Sequence, residues 1–155
     1  PEINKLIRAG YLHDIGKIVL DEELLSRDNI LSAEENEKKK QHTAVGYRIL
    51  NLFDDTLDLA ELVYGHHERW DGTGYPRGLK GRQIPFISRI IAIAETYDRV
   101  LNRSDLPYEE RKQAALEVIR EGAGKKFDPQ IAEFFVKIMS GKKDDNLTRQ
   151  SEISI

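Results

Sequence analysis

Three features of the sequence predict an all-α fold. Apolar residues recur at helical spacing in several segments, whereas the period of two that marks a half-buried strand is not convincing anywhere. Ser, Asp, Pro and Gly stand where these segments would begin and end as helices. The length of 155 residues, with 39% hydrophobic and 33% charged residues, fits one globular domain. We therefore expect a compact helical bundle.

The first predicted helix covers residues 2–13, where apolar residues follow a mostly helical period. This helix brings His13 and Asp14 near its end. The short apolar run 18–20 suits an extended segment, and residues 21–31 suit an irregular connection or a short helix.

A second long helix is predicted to begin at Ser32 and to run to about Leu52. Ser32 and Glu35 have the spacing of a capping box, in which each side chain binds the backbone N–H of the other residue. His42 lies in the later half of this helix. Gly46 follows four residues later, so it lies directly below His42 on the helix surface and leaves room there.

A third helix is predicted after Asp55 or Thr56, either of which can cap its first turn. His66 and His67 lie at the end of this helix. Residues 69–84 then form a loop rich in glycine.

Three further helices are predicted after the loop. Pro85 suits the first turn of the most apolar helix in the chain, which we expect to be central and which presents Glu95. Residues 108–121 form an amphipathic helix. Asp128 precedes a proline and is predicted to cap the last helix. The domain is expected to cover 1–141, because the remaining 14 residues are polar and predicted to be loose.

Charge and composition exclude several classes of protein. A net charge of −3 argues against a protein that coats a nucleic-acid polymer. No apolar run approaches the ~20 residues of a membrane span, and no signal peptide is visible, so we expect a cytoplasmic chain without membrane contact. Cysteine is absent, which leaves His, Asp, Glu and water as metal ligands. The abrupt start at Pro1 suggests that an upstream portion is missing.

The placement of the histidines predicts a metal site. His13 adjoins Asp14, His66 adjoins His67, and an apolar helix with an acidic residue follows them. Imidazole and carboxylate ligands suit divalent ions such as Mn, Fe, Co or Zn. The carboxylate of a His-Asp pair can also bridge to a second ion, and two ions roughly 3.5–4 Å apart can activate water for a phosphoryl displacement.

Four motifs point to a known family. They are Leu12–Ile18, which contains the His-Asp pair and a trailing Gly-Lys, His42–Gly46, His66–Pro76 and Phe127–Pro129. Together they resemble the motifs of the HD-GYP family, a branch of the HD-domain metal phosphohydrolases, and His66–Pro76 is similar to its long HHERWDGxGYP signature. The resemblance extends from Leu6 to about Phe135. It implies an HD-domain helical bundle with a metal site between helices and a glycine-rich GYP loop.

The resemblance implies a phosphodiesterase that hydrolyses the bacterial second messenger cyclic di-GMP to pGpG or GMP. It implies two divalent ions, Fe or Mn foremost and Zn, Co or Ni as alternatives, with a bridging hydroxide as nucleophile. The implied catalytic residues are Asp14, which bridges the ions, and Lys17. The implied metal ligands are His13, Asp14, His42, His66, His67 and Glu95. The implied substrate contacts are Lys17, Gly74, Tyr75 and Pro76.

The same resemblance implies a signalling protein in which a receiver or sensory domain precedes this one, and a homodimer is a further expectation. The sequence departs from the family pattern at three positions. Glu95 stands where the family usually has Asp, and Leu106 and Glu109 stand where it has Arg and a basic residue. Two alternatives therefore stay open. The chain is a non-catalytic module that binds metal, nucleotide or a partner protein, or it hydrolyses another phosphorylated nucleotide.

Overall fold

Helices make up the fold of the computed structural model, which describes residues 2–26, 31–102 and 105–141. No β-strand occurs in these residues, and only an isolated bridge joins Ala123 to Phe127. The all-α prediction is confirmed. The α-helices are α1 (Glu2–Leu12), α2 (Glu22–Ser26), α3 (Ala33–Leu50), α4 (Leu57–Tyr64), α5 (Phe86–Leu101), α6 (Tyr108–Gly122) and α7 (Pro129–Met139).

Two predicted helix caps form as expected. At the start of α3, the Glu35 backbone N–H donates to Ser32 Oγ at 3.2 Å, and the Ser32 N–H donates to the Glu35 carboxylate at 2.7 Å. At the start of α7, Asp128 accepts a hydrogen bond from the Gln130 N–H at 2.9 Å. These bonds satisfy N–H groups that have no partner within the helix.

The prediction of an extended segment at 18–20 is wrong. The chain forms a 3₁₀ helix, Ile15–Val19, which packs against α3. Gly16 permits this contact, because a Cβ added there would lie 1.9 Å from His42 O and 2.6 Å from Gly46 N. The space predicted beside Gly46 is thus filled by the backbone of a neighbouring segment. A three-residue apolar run could not reveal this, since its periodicity does not distinguish a strand from a helical turn.

The core of the described residues consists of three clusters, and each of them includes residues of α5. One side of α5 contributes Ile87 and Ile91 to a cluster with α1, α3 and α4. Its later residue Ile93 packs with Ile119 of α6 and with Phe127, just before α7. The central position predicted for this helix is confirmed, and it places Glu95 beside the segments that carry the histidines.

Some predictions concern residues outside those that the structure describes. These include the loose tail beyond residue 141 and part of the connection 21–31. The domain end at residue 141 therefore stays a prediction. In the described ranges, no helix combines the length and the apolar character needed to cross a membrane.

Candidate metal centre

Three separate segments bring potential metal ligands together. Asp14 follows α1, His42 lies within α3, and His66 and His67 follow α4. One ligand atom from each of these four side chains lies within 4.8 Å of the others. His42 and His66 are almost fully buried, with 1% and 0% of their surface exposed. The structure therefore brings together four of the six residues that the sequence predicted as ligands.

The carboxylate of Asp14 lies at the middle of the cluster. Its Oδ2 is 3.3 Å from His13 Nε2, which places His13 beside the four-residue group. Its Oδ1 faces the other way and lies 3.5 Å from His42 Nε2 and 3.9 Å from His66 Nε2. The two carboxylate oxygens thus face different histidines, as a carboxylate between two ions would require.

Backbone carbonyl groups fix the orientation of three imidazoles. His13 Nδ1 lies 2.6 Å from Gly10 O, His66 Nδ1 lies 2.5 Å from Val63 O, and His42 Nδ1 bonds Lys39 O in the same way. A carbonyl oxygen only accepts, so Nδ1 must carry the proton in each ring. In the neutral imidazole the lone pair then lies on Nε2, the atom that faces Asp14. This arrangement is typical of histidines that bind metals.

The electrostatic environment favours the protonation states that bind metals. Burial lowers the pKa of His66 to about 3, and burial also lowers the pKa of His42 and of His67. Burial alone would raise the pKa of Asp14, but the hydrogen bonds and charges of His13 and Lys17 outweigh it and hold that pKa well below its usual range. Neutral imidazoles and an ionised carboxylate are the forms that coordinate divalent ions.

Asp14 Oδ1 provides a further test of whether the residues fit a metal. This atom is buried and has no hydrogen-bond partner. An unsatisfied buried carboxylate oxygen is costly, and a divalent cation between it and the nearby Nε2 atoms would remove that cost. The donor set fits a divalent ion.

Glu95 lies at the edge of the cluster. It extends from α5, and its Oε2 is 3.9 Å from His67 Nδ1. Glu95 does not belong to the group of four residues whose ligand atoms lie within 4.8 Å of one another. The geometry is compatible with a ligand and with an acceptor that orients His67, so its role stays a prediction.

The glycine-rich loop is held by a buried acid that the sequence analysis did not single out. Glu68 is 3% exposed and accepts hydrogen bonds from the backbone N–H groups of Arg77 at 2.7 Å and Leu79 at 2.9 Å. Gly74 packs tightly in this loop, because a Cβ there would lie 2.3 Å from Arg69 N. The signal that could have revealed Glu68 is its place directly after two histidines and before a loop whose N–H groups need acceptors.

The predicted substrate contacts differ in where they lie. Tyr75 stacks on His67 with ring centroids 4.9 Å apart, which places the phenol ring beside the cluster. Pro76 is exposed and joined to Tyr75 by a cis peptide bond, and Gly74 faces the loop backbone. Lys17 donates to Asp14 at 2.5 Å. Tyr75 and Lys17 are therefore the two predicted contacts whose side chains face the site.

Two cavities adjoin the cluster. One has a volume of about 260 Å³ and contains Tyr75 and His67 in its wall, and the other, of about 660 Å³, is lined by α1 and α5. Lys17, Glu95 and Arg99 line both, so the cavities meet beside the cluster. Leu106 and Glu109, where the family pattern has basic residues, line neither cavity. Lys39 lines the smaller cavity.

Comparison with known proteins agrees with this arrangement. The family model described as HD domain matches residues 1–131. A cyclic di-GMP phosphodiesterase from Thermotoga maritima is 44% identical over 84% of this chain and 36% of its own length. A 3'3'-cGAMP-specific phosphodiesterase from Vibrio cholerae is 30% identical over 88% of this chain and 26% of its own length.

A solved structure supports the fold independently. The crystal structure of a cyclic GMP-AMP specific phosphodiesterase from V. cholerae superimposes with a TM-score of 0.69 at 19% identity, over 97% of this chain and 42% of that one. The chain spans about a third of the length of several curated relatives that it matches. The family model, the relatives and the motif His66–Pro76 show that the chain belongs to the HD domain family, within its HD-GYP branch.

Proposed function

We propose that this chain is the catalytic domain of a metal-dependent phosphodiesterase that hydrolyses cyclic di-GMP. The observation that carries the proposal is the Asp14 carboxylate, whose oxygens face different histidines and whose buried Oδ1 has no hydrogen-bond partner. A carboxylate in this position suits a two-ion site, and two-ion sites are common in enzymes that cleave phosphodiesters. Curated relatives named as cyclic di-GMP phosphodiesterases support the substrate.

Six residues are proposed to hold the ions, and Asp14 is proposed to span them. Two bound divalent ions would supply Lewis-acid activation of water and of the phosphodiester. We favour Fe or Mn over Zn, Co or Ni, because the resemblance to the HD-GYP family implies them, while the imidazole and carboxylate donors suit divalent ions of this kind in general. The proposed ligands are His13, Asp14, His42, His66, His67 and Glu95.

Lys17 is proposed to have two roles. Its ammonium group donates to Asp14 and thereby keeps the carboxylate ionised and oriented. Since Lys17 also lines both cavities, it can offset negative charge on the phosphate that is cleaved.

The glycine-rich loop is proposed to frame the nucleotide. The Tyr75 ring, between Gly74 and Pro76, lies in the wall of the smaller cavity and stacks on His67. The two adjoining cavities together fall in the size range of small-molecule sites, and they offer room for a dinucleotide. Hydrolysis of one phosphodiester bond would give pGpG, and hydrolysis of both would give GMP.

Two other functions have specific support. A relative at 30% identity is named for 3'3'-cGAMP, which makes that nucleotide a second candidate substrate. The distance of Glu95 from the four-residue cluster supports a non-catalytic module that binds metal or nucleotide. One assay with cyclic di-GMP and 3'3'-cGAMP as substrates distinguishes both of these functions from hydrolysis of cyclic di-GMP.

The chain is proposed to act within a longer cytoplasmic signalling protein. Its relatives are about three times as long as the matched region, which leaves room for an upstream receiver or sensory domain. A homodimer is proposed as well, and light scattering of the full-length protein would test it.

The test of the proposed function is turnover by full-length protein loaded with Fe²⁺ or Mn²⁺ under anaerobic conditions. We expect cyclic di-GMP to be hydrolysed faster than 3'3'-cGAMP, with pGpG or GMP as the product by chromatography. Faster turnover of 3'3'-cGAMP would reassign the substrate. Nucleotide binding without turnover of either compound would favour the non-catalytic module.

A further inference from the structure

Two cations from different helices line the smaller cavity beside the metal centre. Lys39 comes from α3 and Arg99 from α5. The third cation in this cavity, Lys17, donates to Asp14 at 2.5 Å, so an acid already offsets its charge. Among the described residues, neither Lys39 nor Arg99 forms an ion pair. The cavity therefore contains two positive charges available to a ligand.

The position of Arg99 connects the two cavities. Arg99 lines both of them, next to Lys17 and Glu95. A ligand that extends from the metal centre into either cavity therefore enters a space that Arg99 lines. Guanidinium binds phosphate through two parallel N–H donors, and lysine ammonium binds it as a point charge.

We propose that Lys39 and Arg99 form a second anion site, which holds the phosphate that the metal centre does not cleave. The proposal rests on the function proposed above, because a cyclic dinucleotide has two phosphates and only one can lie at the metal centre. The site selects nucleotides with two phosphates over diesters with one.

The sequence explains why this chain needs such a site. The family pattern places basic residues where Leu106 and Glu109 stand here, and those two residues line neither cavity. Leu106 is 51% exposed on the surface. Lys39 and Arg99 supply from α3 and α5 the positive charge that the later segment lacks.

The test compares two substrates in metal-loaded, full-length protein. One is cyclic di-GMP, and the other is bis(p-nitrophenyl) phosphate, a diester with a single phosphate. Arg99→Leu and Lys39→Met are each expected to raise the KM for cyclic di-GMP about tenfold. The kcat should change little, because a remote phosphate is bound equally in the ground and transition states. The KM for the single-phosphate diester should change less than about twofold.

Two control variants remove the same charges outside the site. Lys38→Met alters the neighbouring lysine of α3, which lines a separate cavity with Val19 and Leu24. Arg48→Leu alters an exposed arginine of α3 whose Nε donates to Ala44 O. Both controls should keep the KM for cyclic di-GMP within about twofold of the unaltered protein.

Failure of this proposal is distinguishable from failure of the proposed function. If the unaltered protein hydrolyses cyclic di-GMP and the variants change both substrates alike or change neither, the second anion site is wrong. If the unaltered protein hydrolyses neither substrate, the proposed function fails, and calorimetric binding of cyclic di-GMP then decides the anion site. Loss of affinity in the double variant supports the site, whereas unchanged affinity or no binding overturns it.

Discussion

The inner and outer halves of the metal centre are held in place by different means. The inner half consists of His13, Asp14, His42 and His66, and the outer half consists of His67, Tyr75 and Glu95. In the inner half, each imidazole is fixed by a hydrogen bond from Nδ1 to a carbonyl group three residues earlier. In the outer half, His67 is positioned by stacking on Tyr75, and Glu95 lies 3.9 Å from it.

This difference in support suggests different roles for the two halves in binding metal and in fitting the substrate. Local bonds within a helical turn orient the inner half, so its geometry depends little on how distant segments pack. The outer half depends on the loop and on α5, which also form the walls of the two cavities. We infer that the inner half supplies most of the metal affinity and that the outer half, which supplies less of it, also adjusts the site to its substrate.

The sharpest test of this comparison removes one carboxylate from each half. Asp14→Asn keeps the side-chain shape but removes the charge that the histidine Nε2 atoms face, so we expect loss of both ions and a fall in kcat/KM on the order of 1000-fold. Glu95→Gln should release one ion and lower kcat/KM roughly 10–100-fold. Elemental analysis and steady-state kinetics measure the two effects.

Asp58→Asn is the matched control for both carboxylates. Asp58 is an exposed acid on α4 whose ion-pair partner, at 3.5 Å, is Lys5 and not a residue of the metal centre. It should keep its full metal content. Equal metal loss from Asp14→Asn and Glu95→Gln would contradict the division into two halves.

A second test introduces a methyl group behind the inner half. In Gly16→Ala the new Cβ would meet the backbone of His42 at 1.9 Å, so we expect a loss of about 3 kcal/mol in the free energy of unfolding and weaker metal binding. Gly10→Ala is the control, since nothing lies within 4 Å of its added Cβ and the residue is inside α1. That variant should gain about 0.5–1 kcal/mol. Urea unfolding compares them, and equal changes would exclude the close contact as the cause.

The residues of both halves were named from sequence, but only the geometry of the inner half was predictable, and the support of the loop beside the outer half was not. His13 and His66 follow the ends of helices and His42 lies within α3, each in a short motif, and the geometry that presents Nε2 is local to one helical turn. The buried Glu68, by contrast, acts on N–H groups nine and eleven residues away. No spacing rule reveals a bond across an irregular loop.

Long-range packing also explains the other differences from prediction. Lys39 belongs to a run of three lysines, which indicates a solvated helix face, yet Lys39 lines a cavity together with residues of the loop and of α5. The 3₁₀ helix Ile15–Val19 arises because Gly16 lies against α3. The position of Lys39 and the 3₁₀ helix both depend on which secondary-structure elements pack against each other. The helical period of a sequence indicates that a helix forms but not what packs against it.

The pH dependence of stability tests the burial of the inner half. Burial lowers the pKa of His66 to about 3, whereas the residue titrates near pH 6.5 in an unfolded chain. As pH falls below 6.5 the unfolded state binds a proton and the folded state does not, so stability present above pH 6.5 is lost. His42 and His67 act in the same direction. His13, whose pKa is raised because Asp14 outweighs burial, acts in the opposite direction.

For metal-free protein we expect the free energy of unfolding to fall between pH 7 and pH 5, with His66 contributing on the order of 2 kcal/mol. Urea unfolding of chelator-treated protein at several pH values measures this fall. Saturating Mn²⁺ should make it steeper through His13, because the ion binds a neutral imidazole and so removes the opposing contribution of this histidine. A stability that stays constant over this range would show that the histidines are not buried in neutral form.

The smallest effect is expected in the loop that supports the outer half. Glu68→Gln replaces a carboxylate that accepts two backbone N–H groups with an amide that has one acceptor oxygen, so one of the N–H groups of Arg77 and Leu79 loses its partner. We expect a loss of about 1–2 kcal/mol in the free energy of unfolding, faster hydrogen exchange at these two amides, and a higher KM with unchanged metal content.

Glu61→Gln is the control, because the exposed Glu61 pairs with the Arg77 side chain at 2.9 Å and should contribute little to stability. If Glu68→Gln released metal as Asp14→Asn does, the loop would be part of the inner half, and the division of tasks proposed here would be wrong.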